Sequence, residues 1–328
     1  MKTIPRTKFN CIGSMLEAAK KFGVKVEIMH EEKNLRIFHK NGKSIFVKGH
    51  IPDLNSFISS KIVDDKGLTK CILEKNKVPT PRGWIMKNYK KTLEMIDNGK
   101  MKFPLVVKPI DGSQGQAVIV GIKNKEILIK SIKEVYKHNR RKKGRPNSFL
   151  IEEYILGDDY RILVLDGKVL TTILRKPAYV VGDGMKTIRE LIDEYNGQKG
   201  VSKDQPLCPI VRDFEFEKNL IENKITENTI PKKNKIVYLR KNANVSTGGR
   251  SFECNSRVNP KYKKLAIKLA KIFKIRFCTV DLIAPNINKY EKFSIIELNE
   301  SPGFDIHEVP FAGKSFPVAE HLVKAMFK

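Results

Sequence analysis

At 328 residues, with 41% hydrophobic and 30% charged positions, the chain can bury a large core and is too apolar for a disordered polymer. Its 63 Lys and Arg against 36 Asp and Glu leave a net charge of +27, so anionic partners, nucleic acid among them, have to be weighed. No apolar run reaches bilayer length, the basic start lacks a signal peptide's apolar segment, and the five scattered cysteines, with no C-x-x-C, argue against a disulfide framework or a zinc site. A cytoplasmic protein with no membrane association is expected.

Three units are expected: 1–60, 61–149 and 150–328. In the first, Ser14–Phe22 reads as an amphipathic helix ending at Gly23 and Val24–Met29 as a strand. Leu35–Phe38 and Ser44–Val47 read as a hairpin joined across Lys40-Asn41-Gly42. The second opens on a helix over Thr69–Asn76. Lys66 stands at its start, where the helix dipole disfavours a cation and an anionic ligand would favour one. Val78–Gly83 is an extended, Pro-marked connector. Phe103–Val120 then reads as strand, polar glycine turn, strand. Lys108 on the apolar strand, with Ser113 and Gly115 in the turn, follows a general recipe for holding phosphate. The spacing is neither a G-x-x-x-x-G-K-[ST] loop nor a dinucleotide fingerprint. Ile127–Tyr136 is a helix, followed by the basic cluster Lys137–Arg145. No aromatics interleave that cluster, so it reads as a solvated loop rather than a nucleic-acid surface, with a docking patch for an acidic partner as the sharper alternative.

Phe149–Leu165 is strand, hinge, strand. The hinge carries Glu152, Glu153, Asp158 and Asp159, acids placed to meet the amino group of a purine and the hydroxyls of its ribose. Val169–Arg175 extends the sheet, Val181–Gly184 turns into a helix over Thr187–Tyr195, and 196–234 is polar and irregular with a short helix. Val237–Arg250 is a strand that delivers Arg240 into a loop of Asn242, Asn244, Ser246, Thr247, Gly248 and Gly249. Such a loop offers donors to a phosphate or a developing oxyanion. Tyr262–Phe273 is an amphipathic helix with its apolar face in the core, and Pro317–Phe327 is a closing helix.

Two apolar strands between these helices carry acids. Phe277–Ile283 holds Asp281, and Ser294–Leu298 holds Glu297, with Asn299 two residues on and so on the same face. A buried strand does not take a carboxylate unpaired. If the two strands pair, Asp281, Glu297 and Asn299 form a set of hard oxygens suited to Mg²⁺ or Mn²⁺.

The order of these parts resembles the ATP-grasp ligases, most nearly the ATP-grasp modules of cyanophycin synthetase and of bifunctional glutamate–cysteine ligase/glutathione synthetase. The resemblance spans roughly residues 60–312. It is carried by Asp65-Lys66, Leu68-Thr69-Lys70, Val78-Pro79, Pro81-Arg82-Gly83, Val181-Gly182-Asp183-Gly184, Leu239-Arg240 with Asn242 to Gly249, and Glu297-Leu298-Asn299 with Pro302-Gly303. It implies an α/β (α+β) ATP-grasp fold, with antiparallel-rich sheets in two lobes clamping ATP, preceded by a small N-terminal α/β unit. It further implies that Lys66 and Lys108 contact phosphates or adenine, that the Ser113–Gly115 turn covers the phosphates, and that Glu152 to Ile155 hold adenine, Glu153 among them. Asp159 would hold the ribose, Arg161 and Arg175 would lie near the phosphates, and Asp281, Glu297 and Asn299 would bind the metal. Arg240, with Asn242 and Gly249, would stabilise an acyl-phosphate and the tetrahedral intermediate.

The function so implied is an ADP-forming carboxylate–amine ligase acting on amino acids or a short peptide. Two other readings stand beside it: a ligase that adds amino acids to an acidic protein tail or polymer, and a nucleic-acid-binding protein on an inactive ligase scaffold. The intact acid–amide set argues against the last, and homo-oligomerisation is left open.

Overall fold

A computed structural model describes residues 10–110, 116–140, 148–202 and 205–328. Four sheets organise these residues, and every strand pair within them is antiparallel. The first is a four-stranded meander over Lys25–His30, Leu35–Lys40, Lys43–Lys48 and Ile51–Pro52. The helix Cys11–Lys21 precedes it. That helix starts earlier than its apolar pattern suggests because the Asn10 side chain accepts from the Gly13 N–H at 2.8 Å, capping the first turn.

Helices Phe57–Asp64 and Lys66–Lys75 lead out of the meander. Asp65 caps the second, accepting from the N–H groups of Gly67 and Leu68 at 2.8 and 3.0 Å, so Lys66 occupies the first helical position. The second sheet runs Gly83–Met86, Phe149–Glu153, Leu105–Pro109, Ile119–Ile122 in spatial order, with Lys125–Arg140 against it. The glycine turn with Ser113 and Gly115 lies outside the described residues, as do Arg141–Arg145 of the basic cluster. Lys137–Arg140 continue the helix.

The five-stranded sheet is the frame of the site. Its order is Arg250–Glu253, Lys168–Lys176, Asp158–Leu165, Phe277–Ala284, Ser294–Asn299. Side chains alternate across it. Ile162, Val280 and Leu298 form one row, buried against the helix Pro260–Ile272 through Tyr262, Ala266, Leu269 and Ala270. The neighbouring row on the other face is Arg161, Asp281 and Glu297. Further along that second face, Leu163, Leu165 and Phe277 are covered by the Cys11–Lys21 helix and the C-terminal helix Val318–Met326, which share one core. One end of the face is thus sealed by these two helices, and the charged row is left to line a cleft.

A fourth core lies under the two-stranded ribbon Tyr179–Val181 with Ile236–Tyr238. It holds Ile188, Ile192, Phe216 and Leu220 from the helices Ile188–Asn196 and Phe214–Glu222. Thr187 and Glu190 cap the first of these reciprocally, with Thr187 N–H to Glu190 at 2.7 Å and Glu190 N–H to Thr187 at 3.2 Å.

Candidate active site

Register alone assembles the charged row. Asp281 lies directly opposite Glu297 on one side and Arg161 on the other, and Arg175 opposes Asp159 one strand further. Directly opposed residues share a face, so three adjacent strands bring a guanidinium and two carboxylates side by side. Asp281 is only 1% exposed. Arg161 donates to both its oxygens, from Nε at 2.9 Å and Nη2 at 2.6 Å, and Arg175 Nη2 donates to one of them at 2.7 Å. Arg175 also donates twice to Asp159 Oδ1, at 2.9 and 2.6 Å. Glu297 stands looser, 4.0 Å from Arg161. Asn299 Oδ1 accepts from the Ser301 N–H at 3.0 Å.

These pairings set the charge states. Burial by itself raises the Asp281 carboxyl, but Arg161 and then Arg175 more than offset it, and Asp281 is held below the ordinary range. Asp159 moves the other way: burial, helped by the negative charge of Asp281, outweighs Arg175 and Arg161 and lifts its carboxyl. His307 lies close by, 1% exposed with neither ring nitrogen hydrogen-bonded. Burial first, then Arg161, drop it to about 3, so it is neutral.

The other wall has its own triad. Lys108 and Lys70 reach Glu152 at 2.5 and 2.9 Å, all three buried. Burial raises the Glu152 carboxyl and the two ammonium groups lower it further than that, so it stays ionised. Between the walls lies a cleft of about 600 Å³, a volume suited to a small-molecule ligand. One wall contributes Lys66, Lys108, Glu152, Glu153 and Ile155, and the other Asp159, Arg161, Arg175, Asp281, Glu297 and Asn299, with Asn242 from the amide loop.

Arg240 and Gly249 do not line that cleft. Arg240 is 2% exposed and holds Asp213 through Nη1 and Nη2 at 2.6 and 2.9 Å, with Nη1 also donating to the Val211 carbonyl. Gly248 has φ +95°, and a Cβ on Gly249 would fall 2.7 Å from the Asn244 carbonyl oxygen, so both glycines answer to the tight loop itself. The loop does reach the cleft through Asn242, whose Nδ2 donates to the Val118 carbonyl at 3.1 Å. It thereby ties the strand after the glycine turn to the far wall. Lys218 does the same for Val120 at 2.9 Å.

Some residues in or behind the cleft wall carried no expectation of their own. Lys241 lines the cleft and pairs with Glu222, and Lys70, quoted only within a motif, joins Glu152. His50 and Asp305 line the end nearest the N-terminal sheet. Their signal was spatial, since the loop after the third strand of the meander and the segment after Pro302-Gly303 meet only in the fold.

The acid–amide set suits a divalent ion in its chemistry: hard oxygens on adjacent strands, in the cleft wall, facing cationic side chains. Among the described residues no cluster of three or more His, Cys, Asp or Glu is gathered to hold a metal. The third donor is an amide, and Asp281 is held by its arginines.

The fold is that of the ATP-grasp proteins. Residues 63–179 match the RimK-like ATP-grasp domain family. Across nearly its whole length the chain is similar to the glutathione biosynthesis bifunctional protein GshAB of Listeria welshimeri, 31% identical over 314 residues, covering 93% of this chain and 39% of that one. It is also similar to cyanophycin synthetase of Trichormus variabilis, 32% identical over 280 residues, covering 84% of this chain and 30% of that one. Among solved structures it matches a bifunctional glutathione synthetase from Pasteurella multocida, with TM-score 0.67 and 27% identity over 97% of this chain and 44% of that one. The chain therefore spans less than half the length of these relatives.

Proposed function

We propose that the chain is an ATP-dependent, ADP-forming carboxylate–amine ligase. A substrate carboxylate attacks the γ-phosphorus of ATP, ADP leaves, and an acyl-phosphate forms. An amine then attacks the acyl carbon, loses a proton, and inorganic phosphate departs as the amide bond closes. The supporting observation is the meeting, in one cleft, of the Arg161–Asp281–Glu297 row with the Lys108–Glu152–Lys70 wall.

Phosphoryl transfer of this kind needs positioning and charge compensation rather than a nucleophilic side chain. Lys66, Lys108, Arg161 and Arg175 supply cations along a triphosphate, while Glu152 to Ile155 face the base and Asp159 the ribose. Asp281, Glu297 and Asn299 would hold Mg²⁺, which supplies charge neutralisation on the transferring phosphoryl group. Ser113 and Gly115 are proposed to cover the phosphates. Arg240 acts through the loop it braces, by way of Asn242 and Asp213.

The substrates proposed are amino acids or a short peptide, in keeping with relatives named for glutathione biosynthesis and cyanophycin synthesis. The net charge of +27 keeps a second reading in view, addition of amino acids to an acidic tail or polymer. The test is an ADP-release screen over pairs of amino acids and short peptides. Release should require both an acid and an amine, and Glu297→Ala should lower it by about 100-fold, roughly 3 kcal/mol of transition-state stabilisation. A purified protein that fails to bind Mg·ATP in calorimetry would end the proposal.

A further inference from the structure

Behind the five-stranded sheet, on the face away from the cleft, the helix Pro260–Ile272 carries a one-sided charge pattern. Its sequence, PKYKKLAIKLAKI, holds five lysines and no acid. Tyr262, Ala266, Leu269 and Ala270 are buried against the sheet, while Lys261, Lys264, Lys268 and Lys271 are exposed. Their spacing of three, four and three puts them on one stripe, neighbours about 5–6 Å apart. Arg257 before the helix and Lys274 after it are exposed as well, and no Asp or Glu occurs between Glu253 and Asp281.

By itself this arrangement is unfavourable. Like charges three and four apart repel along a helix, and Lys261, Lys263 and Lys264 stand at the end where the dipole is already positive. On other helices some exposed lysines meet acids, as Lys130 with Glu126 at 2.7 Å, Lys137 with Glu134 at 2.6 Å and Lys21 with Glu320 at 2.6 Å, and others such as Lys90, Lys91 and Lys133 do not, but each of those helices carries an acid of its own and this one carries none. Among the described residues Lys264, Lys268, Lys271 and Lys274 have no ion pair and no side-chain hydrogen bond.

We propose that this stripe is a docking surface for an acidic polypeptide segment, a site separate from the cleft. Carboxylates at helical spacing, or on alternate residues of an extended chain, match the lysine spacing. Single-stranded nucleic acid fits less well, because such surfaces interleave aromatic platforms. The nearby exposed ring, Tyr290, is covered by Lys261 at 5.6 Å and packs on Tyr262 and Phe293. An anionic membrane fits less well too, because the apolar face of this helix is spent in the core and has nothing to insert.

Binding is read without turnover, so the result is independent of the proposed ligase chemistry. A fluorescein-labelled oligoglutamate peptide is titrated with the full chain at physiological ionic strength. Two triple variants of equal charge follow: Lys264→Gln, Lys268→Gln, Lys271→Gln on the stripe, and Lys90→Gln, Lys91→Gln, Lys100→Gln on another exposed surface. The stripe variant should weaken binding by about tenfold and the other by less than about twofold, with salt weakening the wild type steeply. Carbodiimide cross-linking of the wild-type complex should map to Lys264, Lys268 and Lys271, a readout that needs no variant to fold. Equal loss in both variants, no binding of oligoglutamate, or cross-links scattered over the surface would each overturn the proposal. So would stripe-dependent binding of an oligouridylate or of phosphatidylserine vesicles in its place.

Discussion

Glu152 is where the charge balance of the cleft is most exposed to a single change. Its oxygens are divided between Lys108 and Lys70, and none of the three side chains reaches water freely. Removing one member of such a buried set is worse than replacing all of it, because the remaining charges stay buried and unpaired. Glu152→Gln should therefore destabilise the fold by about 3 kcal/mol in urea unfolding at neutral pH. The carboxyl sits below its ordinary range, so its contribution is present above the unfolded value of about 4.3 and fades as pH falls through the folded value. The gap between wild type and variant should accordingly shrink on acidification; a gap that stays constant down to acid would show that packing, not charge, holds the site. Arg240 teaches the complementary lesson. An arginine delivered by a strand into a donor-rich loop reads as a catalytic cation; in the fold this guanidinium lies buried against Asp213, 27 residues earlier, behind the loop rather than in the cleft wall.

At the level of elements, much of the chain was legible because local signals agreed. The acid-bearing strands were visible as short apolar runs broken by one carboxylate, and their pairing, a condition at the level of sequence, is present in the fold. The residues that escaped lie in pieces whose signal is weak alone. Gly83–Met86 is four residues after a proline-rich connector, and Arg250–Glu253 follows a double glycine. Both are fixed by neighbours in their sheets rather than by propensity. The helix Phe214–Glu222 hides a polar core residue of the same kind. Its Glu215 is 2% exposed, neither oxygen has a hydrogen-bond partner, and the nearest cation is Lys218 at 3.4 Å. Burial lifts this carboxyl to about 7, against Lys218 and Arg240. An unfolded chain gives up the proton near 4.3, so between about pH 4.3 and 7 the folded state binds more protons and loses stability as pH rises. His307 acts oppositely: with a folded value of about 3, it makes stability rise with pH up to the ordinary histidine range. Comparing wild type with Glu215→Gln removes the histidine from the balance. The variant should gain on the wild type across the window and lead by about 3 kcal/mol at pH 8. A difference that does not change with pH would show that Glu215 ionises in the fold as it does in water.

For the molecule as a whole, the question is whether residues 1–60 form a unit of their own, as their position ahead of the lysine-bearing segment suggests. The packing points elsewhere. Met15, Ala18 and Ala19 of the first helix are buried in the same cluster as Val318, Leu322 and Val323 of the last, and both cover Leu163 and Leu165 of the central sheet. The meander by itself is a small sheet with mostly exposed first and third strands, too little apolar surface to stand alone at its size. The helices Cys11–Lys21 and Val318–Met326 therefore close one core, and that core seals the end of the face on which Arg161, Asp281 and Glu297 stand. Leu322→Ala, at a fully buried position, should cost about 3 kcal/mol, and Met15→Ala a similar amount. Because both substitutions open the same cluster, the double variant should depart from additivity by about 1 kcal/mol, with one cooperative unfolding transition followed by tryptophan fluorescence from Trp84 in the other lobe. Strict additivity, or loss of the N-terminal helix while Trp84 reports an intact fold, would make the opening unit autonomous and leave the cleft's sealed end to the C-terminal helix alone.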